Sequence, residues 1–201
     1  MKKVFLLIFT SALCFTGISP VFAGTTPVQV GSQTSNIPIL RNIPPNTRSN
    51  LLSIDISNAI AILVNAAENN ANILNITTLL SNGDGNGAGV TAAQNALSSQ
   101  FASLGINVDS GSSVANLINA LTGLIPANFN AGAGQKQTVD LSKLALAIES
   151  FNQIVNGLAD IANGSDAVAA AKALTTLNAL STNDTFIKLS AALDAISASL
   201  K

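Results

Sequence analysis

The chain has 201 residues, 48% of them hydrophobic, with 9 Lys+Arg against 10 Asp+Glu. It contains no His, Trp or Tyr and 1 Cys, so Ser-His-Asp and Cys-His sites cannot form and zinc has no imidazole ligand. The charge balance offers no basic footprint for nucleic acid.

The N-terminus reads Met1-Lys2-Lys3, an apolar run from Val4 to Leu13, then Val21-Phe22-Ala23. Two lysines, a short apolar core and a V-x-A end predict a secretory signal peptide over residues 1–23. The run falls short of the ~20 apolar residues that span a bilayer. An alternative is a lipoprotein acylated at Cys14, but Leu13 stands where such signals place a small residue. Cleavage after Ala23 removes Lys2, Lys3 and Cys14, leaving 7 − 10 = −3 and no thiol, hence no disulfide. The expected location is secreted or periplasmic. Asn, which occurs 23 times, supplies much of the polarity instead of charge. An amide-rich surface gives little repulsion between molecules.

Residues 24–48 carry Pro27, Pro38, Pro44 and Pro45 and predict an extended arm. Its apolar residues, Ile37, Leu40 and Ile43 among them, could dock on the chain's own body or on a neighbouring subunit, or the arm could be left disordered. Residues 49–201 predict a single all-α domain. The pattern from Ser49 to Leu80 is its longest helix, with seams at Ile56, Ile60, Leu63, Ala67 and Leu74 and at Ile62, Ala66, Ile73, Ile76 and Leu80. Two seams predict a place near the centre.

Gly83, Gly85, Gly87 and Gly89 end that helix. Thr91 with Gln94 forms a capping-box pattern for the next, which carries Leu97, Phe101 and Leu104 and ends at Gly105. Ser112 or Ser113 starts a short helix with Val114, Leu117, Ile118, Leu121 and Leu124, stopped by Pro126. A Gly/Asn loop, Pro126 to Gln137, follows.

Thr138 to Asn163 gives the clearest helix, with Leu141, Leu144, Ile148, Phe151, Val155 and Leu158 on one stripe and Gly164 at C′. Ser165 or Asp166 caps the next, with Val168, Leu174, Leu177 and Leu180. Asn183 or Asp184 starts the last, with Phe186, Leu189, Leu193, Ile196 and Leu200. Short links make these neighbours. The fold class is therefore an all-α helical bundle of five to six helices with an extended N-terminal arm.

Chemistry is sparse. The acids are scattered, and Asp140, Asp166 and Asp184 sit where helix starts account for them. Asn82, Asp84, Asn86 and Gly87 match the opening of a calcium loop, but Ala93 stands where its bidentate Glu belongs, and a flexible connector explains the same letters. Phe129 lies alone in its loop, either a contact residue or tucked back. No catalytic, cofactor-binding or metal residue is assigned.

The expectation is an exported, non-enzymatic structural or protein-interaction protein, self-associating in the cell envelope or matrix. Its partner would be another protein or a second copy, with no nucleic acid and no membrane insertion after signal cleavage. The alternative is a periplasmic carrier of an apolar small molecule or lipid, held between helices.

Overall fold

The computed structural model describes residues 26–30, 33–47, 51–55, 59, 62–63, 71–81, 87–125 and 136–200. The leader, the calcium-like residues Asn82–Asn86 and Phe129 lie outside them. The chain is an all-α bundle, and among the described residues six helices have defined bounds: α1 Ala71–Ser81, α2 Ala88–Ser103, α3 Ser113–Leu121, α4 Leu141–Ala162, α5 Ala167–Thr182 and α6 Asp184–Ala198. Two small antiparallel ladders accompany it, β1 Thr26–Val30 with β2 Gln33–Ile39, and β3 Leu51–Asp55 with β4 Lys136–Asp140.

The ladders correct the sequence reading in two places and give the extended arm its form, a hairpin. Pro27 and Pro38 face each other in it, so the residues that lack an amide donor share one rung. The expected helix from Ser49 begins instead as strand β3, with Leu51 opposite Asp140 and Asp55 opposite Lys136. Helix resumes at Ala59, Ile62 and Leu63 and is continuous over α1, where Ile73, Ile76 and Leu80 are buried. The expected helix from Thr138 gives up its first three residues to β4. Asp140 is both the last residue of that strand and the N-cap of α4, accepting from the Ser142 and Lys143 amides at 3.0 and 3.2 Å. A carboxylate that satisfies two orphan amides fixes the helix start there.

Helix α4 lies at the centre of the described bundle, and the described residues Ala59, Leu63, Ile73, Ile76, Leu79 and Leu80 of the Ser49–Leu80 segment are buried in the same core. Five of its predicted stripe residues are buried, Leu158 is partly so, and Ala145, Ala147, Ser150, Asn152, Ile154 and Ala159 are buried as well. Burial on more than one face is what a surrounded helix requires: α4 contacts α3, α5, α6 and strands β1, β2 and β4. The three late helices touch one another. Gly164 follows the C-cap Asn163, and a Cβ there would come within 3.1 Å of the Ile161 carbonyl.

Three phenylalanines join α2, α4 and α6. Phe151 stacks on Phe186 with centroids 4.7 Å apart, and Phe101 meets Phe186 edge-on at 6.1 Å. The remaining α6 stripe residues Leu189, Leu193 and Ile196 are buried; Leu200 falls beyond the helix end and is partly buried.

Two caps differ from expectation. Helix α2 starts at Ala88 with Gly87 as its N-cap, so Thr91 is already inside the helix, its amide bonded to the Gly87 carbonyl at 3.1 Å. Gln94 reaches away and donates to Thr122 Oγ1 at 2.8 Å, tying α2 to the end of α3. Helix α3 stops at Leu121, before Pro126, because the chain turns at Gly123 with φ +69°. Leu124 leaves the helix yet stays buried, and its carbonyl accepts from the Asp140 amide at 3.2 Å.

Candidate interaction surface

Helix α5 is built from AVAAAKALTTLNALST. Its Ala-rich first turns favour helix, and Asp166 caps it by accepting from the Val168 and Ala169 amides at 2.9 and 3.1 Å. Ala173, Leu177 and Leu180 are its buried residues. Val168 and Leu174, expected on the same stripe, are instead 67% and 36% exposed. Successive residues step by about 100° around a helix, which sets Val168 opposite Leu177 and Leu174 off the buried edge. The outward row therefore reads Val168, Ala171, Thr175, Asn178 and Thr182, all exposed. Lys172 is the one charged residue within the helix.

The loop after α2 adjoins this face. Leu104 caps α2, Gly105 takes φ +76°, the Gly105 amide donates to the Ala102 carbonyl at 2.9 Å and the Ile106 amide to the Phe101 carbonyl at 3.1 Å. That pair of bonds is a Schellman closure, and the sequence reading of Gly105 as the cap holds. The connection continues through Asn107, whose Oδ1 accepts from the Asp109 amide at 2.8 Å, to Ser112, whose Oγ caps α3 through the Ala115 amide at 3.2 Å. On one side of Gly105 an open cleft of about 390 Å³ runs along Ala171, Lys172, Thr175 and Thr176 of α5. On the other, an open cleft of about 400 Å³ is lined by Ile106, Val114, Ile154, Gly157, Leu158 and Ile161, among others. Ile161, at the end of α4, is 49% exposed. Sequence reasoning placed Val168 and Leu174 in the core and so missed this face.

The arm makes a second feature. Ile37, Leu40 and Ile43 are all buried in the common core, and the hairpin contacts α4 and α5. Asn152, on α4 and only 6% exposed, grips the arm's backbone. Its Oδ1 accepts from the Leu40 amide at 2.8 Å, while Nδ2 donates to the Leu40 carbonyl at 2.8 Å and to Asn42 Oδ1 at 3.2 Å. A side-chain amide thus supplies the two bonds that a neighbouring strand would give. Of the two docking modes open from the sequence, the chain's own body receives the arm. A shallow cleft of about 200 Å³ remains between Arg41–Pro44 and Asp194, Ser197 and Leu200 at the end of α6.

Chemically reactive groupings do not assemble among the described residues. No group of three or more His, Cys, Asp or Glu side chains stands ready for a metal. Asp140 and Asp166 are caps, Asp184 lies in the first turn of α6, and Asp109 and Asp160 are exposed. No described helix is long and apolar enough to cross a membrane. Compared with protein-family models, with curated proteins and with solved structures, the chain has no match.

Proposed function

We propose that this is an exported, non-enzymatic interaction protein that associates with copies of itself or with a protein partner through the outer face of α5 and the adjoining end of α4. The observation that carries this reading is the exposure of Val168, 67%, on a helix face interrupted by one charge, with Ile161 beside the neighbouring cleft at 49%. Burying apolar surface gains about 25 cal/mol per Å², and Lys172 is the one charged residue within α5 that a second molecule would meet. Val168→Asp and Ile161→Asp place a charge on that face without touching the buried residues. Both variants should keep the native thermal melt and lose cross-linked oligomers or captured partner. Unchanged cross-linking in both would remove the face from consideration.

Export is supported by the Met1–Ala23 pattern. Mass spectrometry of the protein recovered from outside the cytoplasm should find it beginning at Gly24; a protein retained at full length in the cytoplasm would contradict export. A carrier for an apolar ligand draws less support. Ligand pockets measure about 300–1,000 Å³ and enclose most of the ligand. The space beside Phe101 and Phe186 measures about 10 Å³, and the clefts of about 390 and 400 Å³ are open.

A further inference from the structure

We propose that the groove holding residues 37–43 also accepts that segment from a second copy of the chain, so that two molecules exchange arms. The fit is already displayed: Ile37, Leu40 and Ile43 fill the core, and Asn152 bonds to both backbone groups of Leu40 and to Asn42. These contacts join residues 110–112 positions apart, so none of them depends on the arm and the body sharing one polypeptide. An exchanged pair re-forms every one of them.

The described part of the connection that follows the arm is a turn. Residues Pro45–Thr47 form a single 3-10 turn, in which the Thr47 amide and Oγ1 both donate to the Pro44 carbonyl at 3.1 and 2.8 Å. Pro44, Pro45 and Asn46 are exposed, and the turn has no buried residue. Adjacent prolines favour an extended backbone once the turn opens. The closed and exchanged forms therefore differ at this turn and in the entropy of bringing two molecules together. A short tether gives the chain's own arm an effective concentration in the millimolar range. Exchange thus grows where the protein is locally concentrated. The inference deepens the self-association part of the proposed function and rests on it, but it uses a different surface.

Two measurements test it, both on the purified protein with Cys14, if retained, replaced by Ser. In the first, Pro45–Thr47 are deleted, which removes the turn and, on the exchange reading, sends the arm to the groove of a second copy. Light scattering should then give twice the monomer mass at every concentration, and adding Asn152→Ala should reduce the dimer fraction several-fold. A folded, monomeric deletion variant would overturn the proposal. In the second, which keeps the natural turn, copies carrying Arg41→Cys are incubated at high concentration with copies carrying Ser197→Cys and treated with a short bis-maleimide. These positions line the same cleft from the arm and from α6. A hetero-linked product of doubled mass is expected; its absence, while both cysteines in one chain link internally, would overturn exchange. Repeating both with Val168→Asp separates the two readings. Linked product with the α5 face disabled supports exchange alone, and association lost only on disabling that face supports the α5 reading alone.

Discussion

Asn152→Ala removes one side chain and leaves two buried backbone groups without partners. Leu40 is 2% exposed, and its amide and carbonyl are held by Asn152 at 2.8 Å each. A buried polar group left unsatisfied costs about 1–3 kcal/mol, so the pair is worth about 2–4 kcal/mol once partial relaxation toward water is allowed. For a protein of this size each kcal/mol moves Tm by about 2–4 °C, so a fall of about 4–16 °C is expected by circular dichroism. The control is Asn156→Ala, one turn along α4 and exposed, where a surface substitution stays within about 0.5 kcal/mol. The loss should be accompanied by faster amide exchange at Leu40 and proteolytic sensitivity in residues 37–47. A melt indistinguishable from the Asn156→Ala control would refute the clamp as the element that fixes the arm.

Phe186 makes ring contacts with both Phe101 and Phe151 and is 2% exposed. Phe186→Ala should cost about 3–5 kcal/mol in urea unfolding, and a loss below about 1 kcal/mol would mean that the three rings do not share one packed site. Gly105→Ala should destabilise by about 1–2 kcal/mol, the penalty for a side chain at φ > 0. A Cβ there meets nothing closer than Thr176 Oγ1 at 3.7 Å, so a neutral result would place the error in the backbone conformation rather than in crowding.

The late helices were legible because their apolar residues recur three and four apart, and that spacing survives unchanged in Leu141–Val155 and Phe186–Ile196. The strands were not legible, for two physical reasons. Strands β3 and β4 pair across eighty residues of intervening chain, so no local turn announces them, and Leu51, Leu52 and Ile54 fit a helical seam as well as a strand. The hairpin of β1 and β2 carries Pro27 and Pro38, which argue against a strand, although Gly31-Ser32 has the composition of a two-residue hairpin loop. The arm's buried Ile37, Leu40 and Ile43 were legible as apolar; the groove and Asn152 were not, because an Asn on a helix reads as solvated until its partner is placed.

The candidate interaction face escaped the sequence for the opposite reason. Val168 and Leu174 are apolar, and apolar residues are read as core by default. Only the phase of Ala173, Leu177 and Leu180 shows that the buried side of α5 lies elsewhere. That helix contacts α4, α6 and β2 with its inner surface, which leaves its outer row free of those partners.

The central claim is that the protein works by association rather than by chemistry. Light scattering of the purified protein across a thousand-fold range of concentration, in parallel with Val168→Asp, tests it most directly. The account predicts a weight-average mass that rises with concentration for the natural sequence and a flatter rise for the variant. Strictly monomeric behaviour throughout the range, together with no partner captured from the cell envelope, would contradict it.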